Sequence, residues 1–366
     1  NVVLHALSDE SIDWYYALSS SVYNEVVKYG VEFDTGKLTI FDVSPAVDKT
    51  QRKRLLKLES TYPVDVVFTF FGPAYANFRK PHLCGVADGW VTHSTWLAYR
   101  TLPSFSRIIT NIAKCIYKGW WDRKADRWVV EAECARKGLV RRLRLNYDHI
   151  SVVANTYGKI FDTYRNIENI ESTKTSDKLQ ILILAAYYPH KNMEIIPHLA
   201  QSLKTKRPSL DFLINITLPK ESVGYQKIMT SADALGVRDH IESLEWVNVK
   251  DLPEIYNQSD ILFMPSVLET FSANYPEAMV MQTPIVTSDL DFAHDVCQDA
   301  AVYFEPKNPD AAANSILSLV DDRALREHVI QNGLNRLSDF PDSKQRYAAY
   351  CKILLQMQGD TEVGTR

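Results

Sequence analysis

Two carboxylates and a lysine stand where chemistry on a phosphorylated ligand would need them. The segment Glu269-Thr-Phe-Ser-Ala-Asn-Tyr-Pro-Glu277 lies between an apolar strand-like run, DILFMPS (260–266), and a helical pattern from Pro276 to Gln282. Proline suits the first turn of a helix, because its missing N–H would find no helical partner there. The amides of Ser272, Ala273, Asn274 and Tyr275, with the positive end of that helix, then face the strand ends and attract an anion such as a diphosphate. Each carboxylate has two acceptor oxygens and can take both hydroxyls of a vicinal diol. One glutamate on a ribose, the other on a hexose and a phosphate between them would hold a sugar nucleotide. On spacing alone the same residues also fit an acid-capped helix start with Glu269 solvated. A second segment, Ala185-Ala-Tyr-Tyr-Pro-His-Lys-Asn192, again follows a strand and precedes a helix. Lys191 there is placed to meet a diphosphate as a point charge, or to stand solvated at a helix start.

A third feature is local charge. Residues 114–144 hold ten basic side chains against four acidic ones, interleaved with Ile116, Tyr117, Trp120, Trp121 and Trp128. Basic amphipathic segments with tryptophan suit an anionic membrane surface. A solvated basic helix with core tryptophans has the same composition. The net charge of −4 gives no global polyanion-binding signature, and no recognition motif accompanies the cluster, so no nucleic-acid partner is expected.

The elements that must position these residues alternate between short apolar runs and longer helical patterns. VVLHAL reads as strand-like and Ile12 to Tyr29 as an amphipathic helical stretch; VDVVFTFFG (64–72), HLCGVAD (82–88) and HISVVAN (149–155) read as strands. A polar stretch at 166–178 has the composition of a linker. Beyond it, strands LQILILAA, LDFLINI, HIESLEW, DILFMPS, TPIVTSD and AAVYFEP interleave with helices at 192–204, 225–235, 252–259, 276–282 and 310–319. Near-continuous apolar strands between helices imply a parallel sheet covered on both faces. At 366 residues, 46% of them hydrophobic, the chain fits two folded domains. The expected division is a first domain at 1–172 and a second at 173–340, which the resemblance described below makes the acceptor and the donor side. A helix at 343–356, within a tail at 341–366, would close back on the first domain. Ligands of such sheets bind at the carboxyl ends of the strands, here in a central cleft. Five cysteines, none spaced CxxC, argue against a disulfide framework or structural zinc and for a cytoplasmic setting. No apolar run is long enough to span a bilayer.

In that context the second half, collinear from about Gln180 to Asp322, resembles the donor domain of retaining glycosyltransferases of the GT-B fold, family four, of the kind that builds bacterial polysaccharide and O-antigen. Strand-Tyr-Tyr-Pro-His-Lys-Asn is similar to the family's Gly-Arg-x-x-Pro-x-Lys-Gly, and LPEIYNQSDILFMPSVLETFSANYPEAM to its Glu-x7-Glu block. The resemblance implies an α/β chain of two Rossmann-like doubly wound domains. It implies Glu277 on the ribose and Glu269 on hydroxyls of the donor sugar. Lys191 would meet the leaving diphosphate, and Ser272 with its neighbours Phe271, Ala273 and Asn274 would offer backbone amides. It implies front-face displacement from a nucleotide diphosphate sugar, with a UDP-sugar expected. The acceptor would be a glycan or a polyprenyl-diphosphate-linked glycan, used at the inner face of the plasma membrane. No Asp-x-Asp motif lies between the domains, so no metal or other cofactor is expected. Three positions depart from the pattern: Ala186 replaces the arginine before the lysine, Ser272 a glycine, and Gln282 the glycine before the next strand. The first half matches loosely. The family's histidine falls near Ala87, followed by Asp88 as a catalytic candidate, with His82 and His93 as alternatives. A sugar-nucleotide epimerase of the same fold and a weakly active donor-binding subunit are the rival readings.

Overall fold

The computed structural model of the chain describes residues 2–167 and 169–364, with side chains to residue 360. In chain order, α1 (Val2–Leu7), β1 (Tyr16–Ser19), α2 (Ser20–Val27), β2 (Leu38–Phe41), α3 (Lys49–Thr61), β3 (Val67–Thr69), β4 (His82–Gly85) and α4 (Gly89–Thr92) come first. They are followed by α5 (Trp96–Tyr99), α6 (Phe105–Asp122), β5 (Arg127–Val130), α7 (Glu133–Leu143) and β6 (Ile150–Val152). Then come β7 (Leu179–Ile183), α8 (Ile196–Lys206), β8 (Phe212–Ile216), α9 (Val223–Ala234), β9 (Ile241–Ser243) and α10 (Leu252–Asn257). The last are β10 (Ile261–Met264), α11 (Asn274–Val280), β11 (Ile285–Ser288), α12 (Asp291–Cys297), β12 (Ala301–Phe304), α13 (Pro309–Asp321), α14 (Arg323–Arg336) and α15 (Ser343–Gly364). The chain divides into two compact units: 1–93 with 109–154 and 341–366, and 94–108 with 155–340.

The first unit holds a four-stranded parallel sheet, ordered β3-β4-β5-β6, and a separate parallel pair, β1-β2. β4 is buried along its whole length, whereas β3 is half-buried. One face packs Cys84, Trp128, Val130 and Ile150 against Ala135 and Leu139 of α7. The other packs Leu83, Val129 and Val153 against Tyr350, Ile353, Leu354 and Met357 of α15. The 343–356 helix thus runs on to Gly364.

Two N-terminal expectations are corrected. VVLHAL is the helix α1, not a strand. A six-residue apolar run has no decisive period, and its i, i+4 face docks on α15, with Ala6 buried and His5 stacked on Tyr347 at 5.7 Å. Within 12–29 the helix is confined to α2, because Tyr16–Ser19 pairs in parallel with Leu38–Phe41. The Ser19 hydroxyl then caps α2 by accepting from the Val22 N–H.

The second unit is a six-stranded parallel sheet, ordered β12-β11-β10-β7-β8-β9. β7 and β10 are buried at every residue, as a sheet covered on both faces requires. The chain starts at β7, adds β8 and β9 on one side, then crosses to β10, β11 and β12 on the other. The strand order therefore reverses between β7 and β10, the topological switch point of a doubly wound sheet. The polar stretch around residue 173 is laced to this unit: Ser172 Oγ donates to the Asn257 carbonyl, Thr173 Oγ1 to Glu254, and Lys174 pairs with Asp260 at 2.7 Å.

Candidate functional site

The loops that leave β7 and β10 hold the predicted donor residues at the switch point. The Val267 N–H donates to the His190 carbonyl at 2.8 Å, and Asn192 Nδ2 to the Pro265 carbonyl at 3.3 Å, so the two loops are tied together. Asn192 adopts the left-handed conformation (φ 53°), which delays α8 to Ile196, four residues beyond the expected start. Held this way, Lys191 Nζ lies 2.5 Å from Glu269 Oε1, with the side chains 18% and 10% exposed. Residues 78 positions apart thereby form one mostly buried ion pair.

α11 begins at Asn274 rather than Pro276. Proline fits the third helical position too, because that N–H also lies among the first four that have no helical partner. Asn274 Nδ2 donates to the Leu184 carbonyl at 2.7 Å, so its side chain stitches the start of α11 to the end of β7. The Tyr275 N–H bonds back to the Ser272 carbonyl, which removes it from the amides expected to face an anion. Phe271 is half-buried, edge-on to Phe340 at 5.8 Å; Ser272 is buried and Ala273 half-buried.

Glu277 is 7% exposed. Burial pushes its carboxyl up to about 7, while hydrogen bonds from the Tyr256 hydroxyl and the Gly158 backbone N–H pull the other way. The Tyr256 hydroxyl lies 3.2 Å from Glu277 Oε2 and 3.3 Å from the Asn274 carbonyl. Phe161, fully buried, packs edge-on to the Tyr256 ring at 5.8 Å. Tyr256 was not among the expected site residues, although LPEIYNQSD carries it in a block already singled out. Gln282, where the family has glycine, sits at φ 56° and donates Nε2 to the Ile167 carbonyl. The left-handed backbone is the physical reason for glycine at that position.

The first-half candidates lie in the other unit with their own partners. Asp88 caps α4: Oδ1 accepts from the Trp90 N–H at 3.0 Å, and Oδ2 pairs with Lys118 Nζ at 2.6 Å. Both oxygens are engaged, by groups its sequence surroundings did not indicate. His82 is a buried β4 residue bonded through Nε2 to Thr69 Oγ1 at 2.8 Å, and burial pushes its imidazole down to about 4. It is a neutral core histidine. His93 ends α4, with Nδ1 2.7 Å from Thr92 Oγ1 and Nε2 3.9 Å from Cys134 Sγ. Asp122, buried beside Cys84, is pushed up to about 7, first by burial and then by the Asp88 charge. Its i, i+4 spacing from Lys118 was legible; its burial was not.

Segment 114–144 does not present one face. Trp128 is core at 6% exposure, Trp121 is half-buried, and Trp120 is exposed. Arg136 of α7 stacks on the Tyr147 ring and pairs with Glu133.

Comparison with known proteins extends these observations. Residues 165–336 match the family model described as glycosyl transferases group 1. An uncharacterized glycosyltransferase of Methanocaldococcus jannaschii is 32% identical over 100 residues, 27% of this chain and 26% of that protein. The O-antigen chain mannosyltransferase of Salmonella typhimurium is 24% identical over 213 residues, 57% of this chain and 54% of that protein. The chain thus spans from a quarter to about half the length of these curated relatives. A Rickettsia africae glycosyltransferase structure aligns with a TM-score of 0.70 at 15% identity, covering 97% of this chain and 92% of that one. An Anabaena protein crystallised with UDP and glucose aligns at 0.66 and 13% identity, covering 93% and 91%. The architecture is GT-B, an α/β fold of two Rossmann-like domains, and within it residues 165–336 are the part similar to the glycosyl transferases group 1 family.

Proposed function

We propose that the chain is a retaining hexosyltransferase. It would take a sugar from a nucleotide diphosphate sugar, with UDP as the expected nucleotide, and pass it to a glycan or polyprenyl-diphosphate-linked acceptor in cell-surface polysaccharide synthesis. The observation that carries this reading is the Lys191–Glu269 pair, held at the switch point by loops bonded to each other. Glu277 is the ribose acceptor, its ionisation tuned by burial. Glu269 takes hydroxyls of the donor sugar, and Lys191 offers its ammonium to the leaving diphosphate.

Breaking the bond from the anomeric carbon builds positive charge on the sugar ring and negative charge on the phosphate. A pre-positioned cation in a mostly buried setting stabilises the latter without reorganising at the moment of reaction. Front-face displacement then keeps the anomeric configuration. The reading needs no metal, and turnover is expected to persist in EDTA. It also implies a cytoplasmic setting, where nucleotide sugars are available. Among the described residues no helix is long and apolar enough to cross a membrane.

The direct test is Glu277→Ala. Binding of UDP-glucose, measured by calorimetry, and sugar transfer are expected to fall together by roughly a hundredfold or more, the effect of removing a paired acceptor to two hydroxyls. Unchanged binding and transfer would overturn the assignment. Conversion of the sugar nucleotide to an epimer without acceptor would replace it with the epimerase reading.

A further inference from the structure

Lys191 is the one cation among the three expected donor side chains, and its ammonium is held by Glu269 at 2.5 Å, with the two side chains 18% and 10% exposed. The pair is not needed to hold its loops together. The bonds from the Val267 N–H to the His190 carbonyl and from Asn192 Nδ2 to the Pro265 carbonyl already do that, on either side of Lys191. The Lys191 N–H donates to the Tyr188 carbonyl at 2.9 Å and closes the turn that Pro189 opens. The backbone under the lysine is thus fixed, while its four-carbon stem lets the ammonium move between partners. A mostly buried ion pair adds little stability over well-packed apolar side chains, so stability alone is a poor account of this one.

Two ligands that differ only in the hexose meet the pair differently. A free nucleoside diphosphate ends in a phosphate that carries, near pH 7, up to about one more negative charge than the same phosphate esterified to a sugar. It attracts Lys191, but drawing the ammonium over strips a mostly buried carboxylate of its cation and sets like charge against like. A sugar nucleotide lacks that extra charge. Its hexose brings hydroxyls that donate to Glu269 as Lys191 turns to the diphosphate, so both charges keep partners. We infer that Glu269 is a specificity-determining residue, which makes the site prefer a nucleotide that still carries its sugar over the nucleoside diphosphate left after transfer. This rests on the proposed sugar-nucleotide reading and adds a role that precedes bond breaking: Glu269 releases Lys191 only when hexose hydroxyls replace it. Once the sugar has left with the acceptor, Glu269 reclaims Lys191 and the nucleotide departs.

The test is calorimetric binding of two matched pairs, UDP with UDP-glucose and GDP with GDP-mannose, to the full chain. In a pair that binds, wild type is expected to hold the sugar nucleotide more tightly by roughly tenfold or more, since a site built to hydrogen-bond hydroxyls rejects the ligand that lacks them. Glu269→Gln frees Lys191, and is expected to bind the free nucleotide roughly tenfold more tightly than wild type and to erase most of the preference. Glu269→Asp draws the carboxylate back by one methylene and should shift the preference the same way by less, which gives a reading even if Glu269→Gln folds poorly. The double variant Lys191→Met/Glu269→Gln should lose the gain, because the gain comes from the freed ammonium. Free-nucleotide affinity that is unchanged or lower in both Glu269→Gln and Glu269→Asp would overturn this inference and leave the sugar-nucleotide reading standing. An equal gain in the double variant would do the same. Wild type that binds neither pair would overturn both.

Discussion

Glu277 is buried to 7% exposure, and that burial lifts its carboxyl from an ordinary 4.5 to about 7. A carboxyl raised on folding favours the fold when protonated. Its contribution is whole below about pH 4.5 and is lost as pH rises through about 7. Keeping it ionised above pH 7 costs on the order of 3 kcal/mol. Glu277→Gln, which keeps an acceptor for the Tyr256 hydroxyl and the Gly158 N–H, should therefore melt higher than wild type at pH 8, by roughly 5 °C. That advantage should shrink at pH 5, and differential scanning calorimetry at the two pH values reads it out. Ligand binding runs in the opposite sense. In the proposed role of Glu277, ribose hydroxyls donate best to the charged form, so UDP-glucose affinity should rise between pH 6 and 8 in wild type and stay flat in Glu277→Gln. Tyr256 tunes the same group. Tyr256→Phe removes a hydrogen bond that lowers the Glu277 value, so the midpoint of the binding profile should move to higher pH and KM should rise more than kcat falls. An unmoved profile would leave Tyr256 as packing only.

Elements hold these groups through close approaches that composition does not reveal. Gly138 of α7 faces the backbone of α4, where an added Cβ would stand 2.2 Å from the Thr92 carbonyl oxygen. Gly138→Ala must push apart the two helices that set Asp88 and His93. A loss of about 1–3 kcal/mol is expected, the usual cost of overpacking, read as a lower denaturant midpoint. Strands were legible where the runs were apolar and continuous, as in β7, β8 and β10, although β7 and β10 end two or three residues before the apolar run does. They were misread where neighbours decided. α1 is a helix because α15 receives its face, and α8 starts late because Asn192 turns left-handed to bring Lys191 toward Glu269.

At the scale of the molecule the chain contributes residues 94–108 to the second unit, leaves the first unit again at Ala154 to build the rest of the second, and returns at Pro341. Its last helix is part of the first unit's core. Tyr350, Ile353, Leu354 and Met357 cover Leu83 and Val129, and Arg346 pairs with Glu131 at 2.7 Å. Leu354→Ala opens a cavity there and should cost about 2–5 kcal/mol. Hydrogen exchange should show the loss in β4 and β5, with protection in β7 to β12 retained. Equal loss in both sheets would mean that the two units unfold together.

By itself the sequence determined the α/β class and singled out Lys191, Glu269 and Glu277 as candidates, because local periodicity and motif spacing are properties of neighbours along the chain. The tertiary structure decided what those residues meet. It paired Lys191 with Glu269 across 78 positions, buried Glu277 under Tyr256, engaged both oxygens of Asp88, and left Ile109, Ile116 and Trp120 of α6 exposed. Burial, partner identity and the direction of a side chain depend on contacts between distant segments, and those contacts exist only once the chain has folded.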